Sequence, residues 1–135
     1  MAAHQPSAAR ASAVDRALQA ARGRIGPRVT AESLAGEIAR GALVVDIRPQ
    51  RFRRRDGTLR GAVVIERNVL EWRLDPTSPD RLELMDDPAK RVIIVCDEGY
   101  ASSLAAASLL DVGRRNVTDL EGGFQALKGF IANGG

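Results

Sequence analysis

Four short runs of apolar residues recur along the 135-residue chain, separated by segments long enough to form helices. Arg91-Val92-Ile93-Ile94-Val95 is the plainest; Ala42-Leu43-Val44-Val45-Asp46 and Ala62-Val63-Val64-Ile65 are similar, and Val117-Thr118-Asp119-Leu120 is a weaker fourth. A strand with one face in water alternates apolar and polar residues, because successive side chains point to opposite faces. Runs without that alternation need cover on both faces, which parallel sheets obtain from the helices connecting their strands. The expected fold is α/β, with a central parallel sheet of about five strands and helices on both faces. Val29-Thr30 is expected to add a short edge strand.

The intervening segments read as helices. Residues 1–7 look like a loose tail, and residues 8–23 like an amphipathic helix carrying Ala11, Val14, Leu18, Ala21 and Ile25 at near-helical spacing, stopped by Gly23 and Gly26-Pro27. Thr30 suits an N-cap, with Glu32 in the first turn, Leu34 and Ile38 facing inward and Gly41 as a left-handed stop. Ser102–Val112 and the stretch holding Phe124, Leu127, Phe130 and Ile131 complete the set, and Asp75–Asp80 is a turn-rich connector. The division expected is a tail and helix over 1–27 and the main domain over 28–135. Trp72 is expected to be a packing anchor, as large aromatics usually are.

With 44% hydrophobic and 27% charged residues, the composition is that of one ordinary globular domain. No apolar run approaches the ~20 residues of a membrane span, and the N-terminus lacks the apolar stretch of a secretory signal. The net charge of +3 is unevenly spread: residues 1–67 hold 13 basic and 6 acidic residues (+7), residues 68–135 hold 7 and 11 (−4). Arg51-Phe52-Arg53-Arg54-Arg55 concentrates the excess and reads as a solvated arginine-rich loop, with attraction of anionic ligands as the second reading. Only 4% of residues are aromatic, so platforms for stacking bases are scarce and nucleic acid is not the expected partner.

Cys96 is the only cysteine and His4 the only histidine. Intramolecular disulfides and Cys-rich zinc or iron–sulfur sites are excluded, histidine chemistry has no place outside the tail, and a lone thiol suits a reducing cytoplasm. Cys96 directly follows the apolar run Val92–Val95; Asp97-Glu98-Gly99-Tyr100-Ala101 come next, and Ser102 opens a helix as its expected cap. In open α/β sheets, ligands gather beyond the carboxyl ends of the strands. A turn there can aim successive N–H groups inward as an anion-binding nest, and the helix dipole adds positive potential. Both favour a thiolate over a thiol. Gly99 permits positive φ within the turn. A buried structural cysteine is the competing reading, which the position at the strand end disfavours.

Four segments, in order, resemble the rhodanese family of sulfurtransferases. Asp46-Ile47-Arg48 resembles the family's Asp-x-Arg at the end of an early strand, and Asp56-Gly57-Thr58-Leu59-Arg60-Gly61-Ala62 resembles its Gly-His-Ile-Pro-Gly-Ala segment. Cys96 to Ala101 matches the six-residue active loop, and Glu121-Gly122-Gly123-Phe124-Gln125-Ala126-Leu127 resembles Gly-Gly-(aromatic)-x-x-Trp. The resemblance runs from about Val29 to about Phe130 and implies a rhodanese-like domain over 28–135. It also implies that Cys96 attacks a donor's outer sulfur, becomes a persulfide and passes the sulfur to cyanide or a thiol, without metal or organic cofactor. The loop amides from Asp97 through Glu98, Gly99, Tyr100 and Ala101 to Ser102 are then expected to hold the anionic sulfur.

Arg48 joins them as a substrate-binding candidate, with pairing to Asp46 as the competing reading; Asp46 itself is expected to be structural. Arg51 stays open between binding and solvation. Tyr100 is expected either at the pocket entrance or against the last helix. Thr58, Arg60 and Leu127 depart from the family pattern, and so do Asp97 and Glu98, where thiosulfate-using members often carry basic residues. If those carboxylates crowd the mouth, they disfavour the thiolate and a dianionic donor, and a neutral or protein-bound persulfide becomes the expected donor. The expected partners are a small sulfur compound (thiosulfate, a persulfide, cyanide or a thiol) or a protein donor or acceptor, with a monomeric protein and no membrane. Two other functions compete with this one. A phosphatase with a Cys-x5-Arg loop needs a bidentate arginine where Ser102 stands. A non-catalytic binding or redox-sensing module would need an outside thiol to resolve an oxidised Cys96.

Overall fold

A computed structural model describes residues 11–135. The tail, His4 and residues 8–10 of the expected first helix lie outside the described residues. The described residues form a four-stranded, all-parallel sheet in the order β2-β1-β3-β4, from β1 (Leu43–Asp46), β2 (Ala62–Val64), β3 (Val92–Val95) and β4 (Val117–Asp119). Leu43 stands opposite Val92, Val44 opposite Ala62 and Val92 opposite Val117. The fifth strand is reduced to one parallel bridge between Val29 and Leu120. Gly26 also bonds to Val117 and Thr118 of β4, but Pro27 has no N–H to pair and the chain turns helical at Ala31, so the pairing does not extend into a strand.

The helices are α1 (Ala13–Arg24), α2 (Leu34–Ala39), α3 (Gln50–Asp56), α4 (Leu70–Leu74), α5 (Ala101–Asp111) and α6 (Gly123–Ala132). Side chains alternate across β3. Val92 and Ile94 join Leu70, Leu74, Ala105 and Leu109 in one core, while Ile93 and Val95 join Leu34, Leu120, Phe124 and Leu127 in the other. The parallel sheet covered on both faces is thus present, with four strands for the expected five. Leu127, standing in for the family's Trp, is buried in the second core.

Four local expectations change. The run Ala62–Ile65 is an edge strand rather than a buried one: β2 has a single neighbour, and Val63 and Val64 are 37% and 45% exposed. The arginine run is a helix, α3, ended by Gly57 at φ +90°. Arginine is a good helix former, and the helix shows no apolar period because none of its apolar side chains is buried. In α4, Leu70 and Leu74 take the inward face at i and i+4, which turns Trp72 outward at 59% exposure; it is no packing anchor. Val14 likewise points outward, while Leu18, Ala21 and Ile25 are buried.

Ser12 caps α1 reciprocally with Asp15, and α1 lies along α5. The connector after α4 is tied down by the buried guanidinium of Arg114, which donates to the carbonyls of Leu74, Met85 and Asp87. Among the described residues no helix is long and apolar enough to cross a membrane. The topology places the residues following β1, β2, β3 and β4 together at the carboxyl end of the sheet, with Cys96 after the central β3.

Candidate active site

Cys96 is 7% exposed, and its Sγ is surrounded by donors. The Gly99 N–H donates to it at 3.1 Å and the Ser102 N–H at 3.3 Å. In the thiol form, Sγ–H donates to Ser102 Oγ at 3.2 Å. α5 starts at Ala101, so Ser102 lies inside the helix rather than capping it, and its hydroxyl points down to the Asp119 carboxylate at 2.8 Å.

The Gly99 and Ser102 amides face inward while three carbonyls of the turn, on Cys96, Asp97 and Gly99, are held from outside. The first amides of α6, on Phe124 and Gln125, donate to the carbonyls of Cys96 and Asp97 at 2.9 and 3.0 Å. The Gly99 carbonyl accepts from the guanidiniums of both Arg22 and Arg28, each at 2.8 Å. The fit on the α6 side is tight enough to demand glycine. A Cβ on Gly99, where φ is +88°, would lie 2.6 Å from the Gly122 nitrogen, and one on Gly123, where φ is +62°, 2.6 Å from the Cys96 carbonyl oxygen.

Under the loop lies a buried polar cluster centred on Asp119. Its Oδ2 accepts from Ser102 Oγ, Ser103 Oγ (2.7 Å) and Arg28 Nη2 (3.2 Å), and its Oδ1 from Arg28 Nε (2.8 Å). Arg22 Nε donates to Ser103 Oγ at 3.0 Å, and its guanidinium lies 5.9 Å from the Tyr100 ring centroid. Tyr100 therefore sits beside Arg22 of α1. Burial and the neighbouring Arg28 charge push the Arg22 guanidinium below its ordinary pKa, the mark of two cations converging on one loop.

At the mouth, the Asp97 carboxylate is drawn sideways. Arg55 Nη2 donates to it at 3.0 Å and Gln125 Nε2 at 2.9 Å, and both also bind Asp56. Lys128 joins Asp56 at 3.0 Å. Hydrogen bonds from Arg55 and Lys128 hold the Asp56 carboxyl well below the usual carboxylate range. Arg55 is thus engaged in pairing, and Arg53 donates to the Arg48 carbonyl, so neither is merely solvated. Glu98 lies on this rim with them. Asp97 and Glu98 are both half-buried, and Ala101 is exposed at the start of α5.

Arg48 is fully buried against Asp46. Its Nη2 donates to Asp46 Oδ2 at 2.8 Å and to the Gly57 carbonyl at 3.0 Å, and its guanidinium stacks 3.7 Å from the Phe124 ring centroid. Its Nη1 is buried without a hydrogen-bond partner among the described residues. The pair secures β1 and, through Phe124, the helix that grips the Cys96 carbonyl.

Cys96, Gly99 and Ser102 converge on one sulfur; Asp97, Glu98, Tyr100 and Ala101 lie around the loop; Arg48 and Asp46 form their own buried pair. The sequence reading missed Arg22, Arg28, Ser103, Asp119, Asp56 and Gln125. Two of these left a trace: Asp119 is an acid inside an apolar run, and Ser103 extends a serine pair in an Ala/Leu helix. Among the described residues, no three of His, Cys, Asp and Glu are placed to hold a metal ion.

The family model of the rhodanese-like domain matches residues 30–129. No curated protein matches the sequence. Among solved structures, a protein of unknown function from Rhodopseudomonas palustris, described as a possible tyrosine phosphatase, is 28% identical; it superposes with a TM-score of 0.78 over 96% of this chain and 97% of its own. A rhodanese-related protein from Thermoplasma volcanium is 21% identical with a TM-score of 0.58, over 78% of this chain and 93% of that one. A human single-domain sulfurtransferase is also 21% identical, with a TM-score of 0.63 over 77% and 96%. At that identity the last two share the fold. The family match takes in every strand of the sheet and the whole turn around Cys96, and the chain belongs to the rhodanese-like domain family.

Proposed function

We propose that the protein is a sulfurtransferase that carries sulfane sulfur on Cys96. The observation that carries this reading is the convergence of the Gly99 and Ser102 amides on Sγ, with the loop carbonyls bound from outside. Such an array stabilises a sulfur anion without any charged side chain inside the turn. The Cys96 thiolate attacks the outer sulfur of thiosulfate or of a persulfide; the donor's S–S bond breaks, and sulfite or a thiolate leaves with the electron pair. The product is a Cys96 persulfide, held by the loop amides from Asp97 to Ser102. A nucleophile such as cyanide or a thiolate then takes the outer sulfur and returns Cys96 to the thiolate. Sideways pairing of Asp97 with Arg55 and Gln125 leaves thiosulfate admissible beside a small or protein-bound persulfide. The thiol chemistry suits a reducing cytoplasm.

The test is intact mass after incubation of reduced protein with thiosulfate, and separately with a low-molecular-weight persulfide, against Cys96→Ser. A gain of one sulfur atom, absent in the variant, is expected. No gain from either donor by a folded protein would overturn the reading.

Phosphatase activity is the second reading, favoured by the description of the Rhodopseudomonas palustris neighbour. Ser102 occupies the place of the arginine that a Cys-x5-Arg loop uses, and Arg22 and Arg28 bind the outside of the turn. The expected result is no hydrolysis of an aryl phosphate.

A further inference from the structure

We propose that Arg22 and Arg28, which precede the residues matched by the family, are positioning residues for Cys96: they fix the loop and, with Asp119 and Ser102, set how readily the thiol ionises. This rests on the reading of Cys96 as the reactive thiol.

Three observations carry it. Both guanidiniums bind the Gly99 carbonyl, and the N–H of that same residue donates to Sγ. Asp119 has four donor contacts, two from Arg28 and one each from Ser102 and Ser103. Ser102 Oγ lies between Sγ and that carboxylate. In the thiol state, the proton order runs from Sγ to Ser102 Oγ to Asp119. When Sγ loses its proton to solvent base, it can no longer donate. The Ser102 hydroxyl is then free to turn and donate to the anionic sulfur, because Arg28 and Ser103 still satisfy Asp119. Without Arg28, the carboxylate loses two of its donors, keeps the serine proton and opposes the anion above it.

The charged and titratable groups around the loop are Arg22 on α1, Arg28 after it, Asp119 on β4 and Glu121 beyond it, Asp97, Glu98 and Tyr100 in the loop, Arg55 and Asp56 on α3, and Lys128 on α6. The first three are tied to the Gly99 carbonyl or to Ser102.

Cys96 is the only thiol, so the rate of its alkylation by iodoacetamide against pH reads its ionisation directly. In the full chain, Arg28→Gln is expected to raise the midpoint by about one pH unit, roughly a tenfold loss of thiolate at a pH below it. Arg22→Gln should raise it less, and Asp119→Asn should lower it. Residues that merely hold the fold would not give opposite signs. If Arg28→Gln does not fold, Arg22→Gln carries the test, because its side chain sits on a helix secured by Leu18 and Ala21. Midpoints that stay put in folded variants, or that move the same way for arginine and aspartate, overturn the proposal. Sulfur loading measured by mass on the same samples separates the two readings. Split midpoints with no loading remove the sulfurtransferase alone; loading with unsplit midpoints removes the positioning role alone.

Discussion

The Cys96 loop is gripped from two sides by different means. On the α6 side the grip is main chain on main chain: the amides of Phe124 and Gln125 hold two loop carbonyls, and Gly99 and Gly123 allow the approach. On the α1 side it is side chain on main chain, through Arg22 and Arg28. The first grip lies within the residues that define the family, the second just ahead of them. A backbone grip survives almost any substitution that leaves its glycines alone, so it suits the part of the site that all chemistry depends on. A side-chain grip can be altered one residue at a time without unmaking the turn, so it suits adjustment.

Breaking the α6 side should cost most. Gly99→Ala and Gly123→Ala each combine a left-handed φ with a backbone clash, and a loss of about 2–4 kcal/mol is expected. Thermal melting should show it as a fall in Tm of roughly 10 °C. On the α1 side, Asp119→Ala leaves Arg28 without its carboxylate and two buried serines without an acceptor, and should cost about 2–3 kcal/mol in denaturant melts. A loss larger than that of the glycine variants would reverse the order of the two grips.

The pairing at the mouth sharpens the comparison, because it clips α3 to both loop and α6. The Asp56 carboxyl lies below its ordinary value in the folded protein, so its contribution is complete above about pH 4, the unfolded value. It is lost as pH falls toward the folded value. The Tm difference between wild type and Asp56→Asn should therefore be constant from pH 7 to about 5 and shrink steadily below about 4. The smallest effect is expected from Glu98→Lys, which reverses one charge at the rim. A gain of a few fold in kcat/KM for thiosulfate, fading with added salt, is the expected reading.

What could be read from the sequence was local. The strand Val92–Val95, the turn after it and the helix beyond are contiguous, so Cys96 and its amides were recognisable from order alone. The hydroxyl of Ser102 and the cluster at Asp119 were not, because Arg22 and Arg28 reach residues 71 to 91 positions away. No spacing rule spans that separation. Trp72 was misplaced for another reason: size suggested burial, but the buried leucines at 70 and 74 leave it only the outer face. The half-resolved case is Arg48, whose two readings needed the Asp46 geometry to separate.

The outward setting of Trp72 has a practical consequence. It is the only tryptophan in the chain, so intrinsic fluorescence reports on a short surface helix and not on either core. At 59% exposure its emission in the folded protein is expected to lie close to that of an indole in water, so unfolding should change it little. The same exposure makes it a sensitive optical label for anything that settles on the α4 surface.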